Sequence, residues 1–188
     1  MKKIQRIISV SGYSNSGKTT LISEIIRELK NRNLKVGLIK HSHHEIETGD
    51  EKKDTGRHRK SGVEITCAFT ENKASICIEE NIVEYFADIL NLYKNMDIVI
   101  IEGMSKSKFR GIEVLSYENF IKRNIRKAVE PEIYYIVCDK HINTNDIKEK
   151  NVILSSDYDN IVKVCDIIEC GIISGFYDID TEKIKEYI

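Results

Sequence analysis

Gly12-Tyr13-Ser14-Asn15-Ser16-Gly17-Lys18-Thr19 is the stretch that decides the fold of this chain. Its two glycines, its lysine and its final threonine stand at the offsets of the phosphate-binding loop called Walker A. The glycines allow the backbone to turn so that successive amides point at phosphate oxygens, and the positive end of the following helix dipole adds to this attraction. We therefore predict that Lys18 reaches the β- and γ-phosphates of a nucleotide and that Thr19 binds Mg²⁺ through its hydroxyl.

The sequence on both sides of this loop predicts a strand before it and a helix after it. An apolar run over 4–10 indicates a buried strand, and apolar residues recur at helical spacing over 21–29. This context favours a true phosphate site over a glycine-rich turn of no chemical importance. The residues predicted to contact the nucleotide here are Gly12, Ser14, Asn15, Ser16, Gly17, Lys18, Thr19 and Thr20.

A second stretch, Asp97-Ile98-Val99-Ile100-Ile101-Glu102-Gly103, is typical of a buried parallel strand that ends in an acid. Ligands of a parallel α/β sheet bind beyond the carboxyl ends of its strands, so Glu102 is predicted to lie near the phosphate loop. Mg²⁺ takes oxygen ligands, and a carboxylate beside it can hold a metal-bound water or position the attacking one. Glu102 is thus the candidate Walker B acid, both metal-binding and, with Lys18, catalytic. The alternative is a glutamate that only ends a strand.

The rest of the chain alternates strands with helices, which predicts an α/β, three-layer P-loop NTPase fold. Such a fold has a mostly parallel sheet with helices on both faces. Further strands are predicted at 36–40, 63–69, 75–78, 134–138 and 152–154, and helices at 55–61, 82–93 and 161–168. The strands at 63–69 and 75–78 can pair as an antiparallel edge, and 41–54 is predicted to form a loop because it has no apolar period.

Bulk properties predict one domain with a buried core. The chain has 188 residues, and its net charge of -1 favours neither nucleic acid nor a membrane as a partner. Five cysteines without a C-x-x-C pair, and the lack of a long apolar run, indicate a soluble protein of the cytoplasm. We expect the P-loop domain to span 1–173 and a polar C-terminal surface extension to span 174–188.

Three blocks carry a resemblance to a known family. The first is 12–21, and the third is 99–103, which ends in Glu102-Gly103. The second is Ile39-Lys40-His41-Ser42-His43-His44, with Asp54 and Arg57-His58-Arg59-Lys60-Ser61-Gly62 downstream. This second block is far more specific than a Walker A loop alone. On these residues the chain resembles the molybdopterin-guanine dinucleotide biosynthesis protein B (MobB) family of P-loop GTP-binding proteins.

The resemblance implies a GTP-binding protein that uses Mg²⁺ and assists the nucleotidyltransferase that attaches GMP to molybdopterin. The implied partners are GTP, molybdopterin or its guanine dinucleotide, and that nucleotidyltransferase, and we expect a homodimer. The implied role is that of an adaptor more than of a standalone catalyst. The sequence shows no clear arginine finger or water-positioning glutamine, groups that contribute about 10³ to 10⁵ in rate, so we expect slow GTP hydrolysis.

Imidazoles and guanidinium groups are concentrated in the segment 41–62, which leaves the strand at 36–40 where a parallel sheet binds its ligands. The histidines can contact a ligand, order a loop, or ligate zinc or nickel with nearby carboxylates. The arginines can hold phosphate bidentately or form one solvated helix face. We predict a second anion site here, for phosphate or a pterin phosphate. Its residues are His41, His43, His44, Arg57 and Arg59.

Asp139 follows the strand at 134–138, late in the chain, where the corresponding strand end of related GTP-binding folds meets the base. A carboxylate at this point can accept hydrogen bonds from N1 and N2 of guanine, so we predict that Asp139 selects the base without an Asn-Lys-x-Asp motif. Two other functions fit the residues. One is a P-loop small-molecule kinase whose acceptor is held by the basic segment, and the other is a GTPase that delivers a metal.

Overall fold

The computed structural model describes residues 4–44, 46, 53–122, 133–143, 145, 147, 151–154, 158–173, 175 and 178–188. The strands are β1 (Ile4–Ser11), β2 (Val36–Lys40), β3 (Ile65–Phe69), β4 (Ala74–Ile78), β5 (Ile98–Glu102), β6 (Gly111–Leu115), β7 (Ile133–Cys138), β8 (Asn151–Leu154) and β9 (Asp178–Asp180). The helices are α1 (Lys18–Asn31), α2 (Asp54–Lys60), α3 (Ile82–Leu92), α4 (Tyr117–Ile121) and α5 (Tyr158–Ile173), followed by a 3₁₀ helix over Thr181–Glu186.

The main sheet has the order β2-β5-β1-β6-β7-β8, and all of these strands are parallel. β9 adds an antiparallel pairing to the first residues of β1. The register aligns Val10 of β1 with Glu102 of β5, and Glu102 in turn with Lys40 of β2. The carboxyl ends of these three strands therefore meet at one edge of the sheet, directly where the phosphate loop leaves β1.

Helices cover both faces of this sheet, which confirms the predicted three-layer α/β fold. The first face packs against α1 and α5, and the second against α3 and the C-terminal residues. The apolar stripe of α1 lies in the first core with Leu21, Ile22, Ile25 and Leu29. Because this stripe is buried against the sheet, the amino end of α1 is held in a fixed direction at the phosphate loop.

The structure contains β6 and α4, for which the sequence patterns predicted no element. Every residue of β6 is buried, and the strand lies between β1 and β7. Glu113, which is fully buried, interrupts the apolar run of this short strand, so the usual sign of a buried strand is missing. As a result, β6 and not another helix-flanked strand borders the phosphate loop on that side.

The β3–β4 hairpin is antiparallel, as predicted, but it pairs as a separate two-stranded sheet and not as an edge of the main sheet. α2, which precedes it, begins at Asp54 and contacts β3. Two strands alone bury little apolar surface, so such a hairpin depends on packing against other elements. The hairpin and α2 thus form a small unit beside the main sheet.

The end of the chain differs from the polar surface extension expected for 174–188. Among residues 178–188, Ile179 and Ile184 are buried in the second core, and Tyr187 packs against it. Backbone pairing of β9 with β1 fixes this segment at its start. The apolar residues recur too sparsely for a helix or strand pattern, which is why their spacing alone did not predict burial.

Other bulk expectations have partial support. Within the described ranges, no helix has the length and apolar character needed to cross a membrane. The cysteines are free, with Cys138 and Cys165 buried and Cys67 and Cys170 exposed. Burial raises the pKa of the Cys138 thiol to about 11 and that of Cys165 to about 12, so both remain protonated at neutral pH.

Candidate functional site

The loop over 12–19 has the backbone conformation that its glycines make possible. Gly12 has a φ of 144° and Gly17, the residue that caps α1, has a φ of 90°. A Cβ atom at Gly12 would lie 2.5 Å from the carbonyl oxygen of Val114, so no other residue fits between the loop and β6. The first turn of α1 contains no acidic residue. Its free amides are therefore available to an anion.

Two side chains of the loop face the position that an anion would take. The Lys18 ammonium donates a hydrogen bond to the Tyr13 carbonyl at 2.5 Å, which brings it back across the loop. The Ser16 hydroxyl is buried and has no hydrogen-bond partner among the residues that the structure describes. A buried hydroxyl without a partner loses free energy, so a ligand oxygen that pairs with Ser16 would relieve that cost.

The Walker B assignment brings Glu102 to the start of α1. The Thr19 hydroxyl donates to Glu102 Oε1 at 3.2 Å, and Lys40 Nζ lies 3.7 Å from the same oxygen. Only 10% of the Glu102 side chain is exposed. A hydroxyl and a carboxylate converging beside a phosphate loop are the oxygen donors that Mg²⁺ prefers. These residues therefore fit a nucleotide phosphate with Mg²⁺.

A cavity of about 270 Å³ adjoins the loop on the side of β6 and β7. Its lining includes residues of the loop and of α1 together with Asp139, which the sequence assigned to base selection. The complete lining is Ser16, Gly17, Thr20, Leu21, Glu24, Val114, Leu115, Ser116 and Asp139. The structure thus places Thr20 and Asp139, 119 positions apart in sequence, around one space beside the phosphate loop.

Asp139 has one engaged and one available carboxylate oxygen. Its Oδ1 accepts the His141 amide at 2.9 Å and lies 2.7 Å from His141 Nδ1. The backbone hydrogen bond from His141, followed by contact with the imidazole, holds the pKa of this carboxyl below its usual value despite some burial. Asp139 is therefore ionised at neutral pH, and Oδ2 can still accept from a ligand.

The histidines lie beside the Walker B acid. The His41 amide donates to the Glu102 carbonyl at 2.9 Å, and the His41 and His43 rings meet edge to face at 4.9 Å. His41, His43 and His44 are exposed at this edge of the sheet. Burial, and then the neighbouring His43, lower the pKa of His41. His41 therefore gains its proton at a lower pH than the ordinary value of about 6.5 on which the sequence argument relied.

The two arginines of the predicted anion site have different surroundings. Arg59 Nε lies 3.1 Å from Glu79 Oε1, and only 9% of the Arg59 side chain is exposed. Arg57 is 73% exposed and lies 3.8 Å from Asp54, one turn earlier on α2. Arg59 thus joins α2 to the end of the hairpin, whereas Arg57 extends into solvent. The contacts do not tie either arginine to the phosphate loop.

The transition-metal alternative lacks a ligand cluster in the described part of the chain. No group of three His, Cys, Asp or Glu side chains there could hold a metal ion. The carboxylates that the sequence argument placed near the histidines, Glu45, Glu47 and Asp50, lie outside the described residues. The imidazoles that are described form only the His41–His43 ring contact noted above.

Several lining residues were not predicted from the sequence. Val114, Leu115 and Ser116 belong to β6 and its end, and Glu24 lies on α1. Ser116 accepts a hydrogen bond from the Asn119 amide and so caps α4. A serine three residues before the asparagine it caps is a local signal that could have marked the start of α4, and with it the preceding strand.

The sequence profile of the family described as molybdopterin guanine dinucleotide synthesis protein B, MobB, matches residues 7–139. The chain belongs to this family. The match covers the phosphate loop, the His41–Arg59 region, Glu102 and Asp139. It also confirms the resemblance that the three sequence blocks carried.

Similar proteins carry names that fit this family. A putative molybdopterin-guanine dinucleotide biosynthesis adapter protein of Methanocaldococcus jannaschii is 31% identical over 142 residues, which are 76% of this chain and 58% of that protein. The Escherichia coli adapter protein is 27% identical over 142 residues, 73% of this chain and 80% of that protein. The alignment with the Haemophilus influenzae adapter protein covers 57% of its length. The chain thus spans less than two thirds of some of these relatives.

Solved structures show the same fold. The Bacillus subtilis MobB structure has a TM-score of 0.65 at 22% identity, covering 86% of this chain and 96% of that one. A MobB homologue from Bacillus stearothermophilus has a TM-score of 0.64 at 17% identity, covering 88% and 99%. At these identities the likeness establishes the architecture, and the roles of single residues rest on the geometry described above.

Proposed function

We propose that this chain binds GTP with Mg²⁺ at the 12–19 loop. The observation that carries the proposal is the contact between Thr19 and Glu102 at the mouth of a loop whose Ser16 hydroxyl is buried without a partner. The adjoining cavity offers the base a place, with the ionised Asp139 on its wall. Guanine presents adjacent donors at N1 and N2, which an ionised carboxylate can accept, whereas adenine presents no such pair.

The residues divide the binding work. Lys18 would contact the β- and γ-phosphates together with the loop amides, and Ser16 would donate its hydroxyl to the same group. Thr19 and Glu102 would hold Mg²⁺, which when bound neutralises charge on the phosphates. The only glutamine of the chain is Gln5, at the far end of β1 from the loop. No glutamine can therefore orient an attacking water, which favours slow hydrolysis.

In the cell, this GTP-binding protein would assist a nucleotidyltransferase in attaching GMP to molybdopterin. The support is family membership and the adapter names of the relatives from M. jannaschii and E. coli. The exposed histidines beside Glu102, together with Arg57, would bind the phosphate of the pterin or of its guanine dinucleotide. We place the protein in the cytoplasm, where GTP and this partner enzyme would meet.

A nucleotide titration tests the binding proposal. GTP and ATP are titrated into the wild type and Lys18→Ala, each with and without Mg²⁺. The wild type should prefer GTP and bind it more tightly with Mg²⁺. Lys18→Ala removes charge-assisted hydrogen bonds worth about 1.5–3 kcal/mol each, so GTP affinity should fall about 100-fold. Unchanged affinity in this variant would remove the basis of the proposal.

A second experiment separates the adaptor from a kinase. The chain is incubated with GTP labelled in the γ-phosphate, molybdopterin and the nucleotidyltransferase. Stimulated formation of the guanine dinucleotide, without label on molybdopterin, supports the adaptor. Label transferred to molybdopterin in the absence of the nucleotidyltransferase supports a kinase instead.

The protein is also proposed to form a homodimer, and the β3–β4 hairpin is the surface that supports this. Residues that pair across the two strands lie on one face, and that face is apolar and largely exposed. Its members are Ile65, Cys67, Phe69, Ala74, Ile76 and Ile78. The free hairpin would be only marginally stable, so a second copy that covers this face would stabilise both hairpins.

A further inference from the structure

The last residues of the chain hold the segment that follows the Walker B acid. The Lys108 amide donates to the Tyr187 carbonyl at 2.9 Å. The Tyr187 ring stacks on Phe109, with centroids 5.6 Å apart and planes inclined by 17°. Phe109 is only 1% exposed and lies 6.4 Å from Phe86 of α3. The chain end thus joins α3 and the loop between β5 and β6.

That loop begins with an unusual turn directly after Glu102. Gly103 has a φ of 95° and Met104 a φ of 53°, so two successive residues are left-handed. A methionine adopts this conformation only where its surroundings fix it. The Gly103 amide donates to the Val10 carbonyl at 2.9 Å, and Ser107 donates to the Met104 carbonyl through its amide and its hydroxyl.

The contacts form a continuous path from the chain end to the metal-binding acid. Tyr187 touches Phe109 and Lys108, and Met104 packs on the same apolar cluster as Phe109 and Tyr187. A Cβ atom at Gly103 would lie 2.8 Å from the His41 carbonyl, so the turn sits close against the end of β2. A displacement of the turn would therefore move the peptide that carries Glu102.

We propose that Tyr187 is a positioning residue for the Mg²⁺ site, acting through the 103–108 turn to fix the direction in which Glu102 presents its carboxylate to Thr19. This inference rests on the proposed GTP–Mg²⁺ function. Tyr187 touches neither nucleotide phosphate nor metal in this arrangement. Its ring limits the positions that the turn can adopt, and the polar contact of Glu102 with Thr19 depends on that limit.

The experiment compares Tyr187→Ala with Tyr187→Phe, which keeps the stacking ring, and with Tyr187→Leu, which keeps apolar bulk without it. Arg6→Gln is the matched control, because it breaks the Arg6–Asp178 ion pair at the opposite end of β9 and leaves the ring stack intact. Two quantities are measured in the full chain. They are hydrogen exchange over 103–108 without nucleotide, and the Mg²⁺ concentration that half-saturates GTP binding.

Tyr187→Ala should raise exchange over 103–108 and raise the half-saturating Mg²⁺ concentration about fivefold, while Mg²⁺-free GTP affinity changes less than about twofold. Tyr187→Phe and Arg6→Gln should match the wild type. If Tyr187→Ala does not fold, the same effects are expected of Tyr187→Leu.

A folded Ala or Leu variant with wild-type exchange and wild-type Mg²⁺ dependence would overturn the inference. A wild type that binds no GTP would refute the proposed function. In that case the exchange data still decide whether Tyr187 holds the turn.

Discussion

Glu102 and Glu113 lie on opposite faces of the sheet because of one residue of register. Val10 is aligned with Glu102, whereas the next residue, Ser11, is aligned with Glu113. Side chains alternate between faces along a strand, so Glu102 shares the α1 face with Val10 and Glu113 faces the other way. Thr19 belongs to α1, and accordingly its hydroxyl meets Glu102. Burial alone would not have told these two acids apart.

Replacing Glu102 by Gln should separate nucleotide binding from its dependence on Mg²⁺. The amide keeps the shape and can still accept from Thr19, but it loses the charge that attracts Mg²⁺. GTP affinity without Mg²⁺ should remain within about threefold of the wild type, and stimulation by Mg²⁺ and the hydrolysis rate should each fall about tenfold or more.

Glu113→Gln is the matched control for this measurement, since it makes the same chemical change on the opposite face. We expect it to retain the Mg²⁺ dependence of GTP binding. Normal Mg²⁺ stimulation and turnover in Glu102→Gln would mean that Glu102 only ends its strand.

Asp139→Asn should weaken the preference for guanine. The amide can present its NH₂ group to the donors of guanine, and it cannot match an ionised carboxylate as their acceptor. The ratio of GTP to ATP affinity should fall about tenfold, because charge-assisted hydrogen bonds are stronger than neutral ones. Competition titrations of both nucleotides measure it.

The lowered pKa of Asp139 adds a pH condition to that measurement. A carboxyl whose pKa lies below its ordinary value of about 3.9 stays ionised throughout mildly acid conditions. The wild-type GTP preference should therefore be the same at about pH 7.5 and about pH 5.5. A preference that Asp139→Asn leaves intact would show that another group reads the base.

At the scale of elements, α1 and α5 are joined by Arg32. Its guanidinium donates to Glu28 at 2.9 Å, Asp166 at 2.7 Å, Glu169 at 2.9 Å and the Val162 carbonyl at 3.3 Å. Burial would lower the pKa of Arg32, but its bonds to Glu169, Glu28 and Asp166 outweigh burial and raise the pKa. This network fixes the C-terminal end of α1, and the apolar stripe fixes the rest.

Arg32→Met should therefore lower the free energy of unfolding by about 2 kcal/mol, less than for a fully buried network because two of the carboxylates are well exposed. Urea denaturation measures it. The control is Lys122→Met, which breaks the exposed Lys122–Glu118 ion pair of α4 and should cost less than about 1 kcal/mol. Equal losses in the two variants would show that the Arg32 network adds nothing beyond a surface pair.

Elements defined by local patterns were predictable, and those defined by their neighbours were not. The apolar period of 21–29 and the β-branched run before Glu102 predict α1 and β5 because each pattern is complete within its own segment. β6 is a strand because β1 and β7 pair with it on both sides, and the charge of Glu113 hides it in the sequence. The hairpin was predicted, but its separation from the main sheet depends on contacts that no local pattern records.

α2 supplies a test of the second anion site. Arg57 is exposed and can reach a ligand, whereas Arg59 is engaged with Glu79. Arg57→Ala should thus reduce binding of a phosphorylated pterin about tenfold and leave GTP affinity within about twofold. Arg59→Ala should give the same loss only if Arg59 leaves Glu79 to bind the ligand.

Glu79→Gln is the control for that comparison, because it weakens the ion pair while keeping Arg59. If Arg59 is a ligand contact, this variant should bind the pterin phosphate at least as well as the wild type. Loss of GTP binding in Arg57→Ala, with pterin binding retained, would show instead that 41–62 closes over the nucleotide and forms no second anion site.

At the scale of the whole molecule, the nucleotide site depends on strand order more than on any motif. Asp139 reaches the cavity beside Thr20 because β6 separates β1 from β7 by one strand, which sets the distance between the phosphate loop and the end of β7. The sequence indicated both residues through their separate strand ends, but it could not give their spacing. The chain end likewise enters the second core through pairing with β1, a contact more than 170 residues long in sequence.

The oligomeric state provides the last prediction. Phe69 is 80% exposed on the apolar face of the hairpin, so a charge there would be buried against a partner hairpin in the proposed dimer. Phe69→Glu should shift the protein from dimer to monomer in sedimentation equilibrium. Leu92→Glu is the control, because Leu92 is 65% exposed at the end of α3 and outside the hairpin, and it should remain dimeric. A monomeric wild type would refute the dimer, and a dimeric Phe69→Glu would place the interface away from this face. If GTP binding is unchanged in the monomeric variant, the hairpin serves assembly and the phosphate loop functions within one chain.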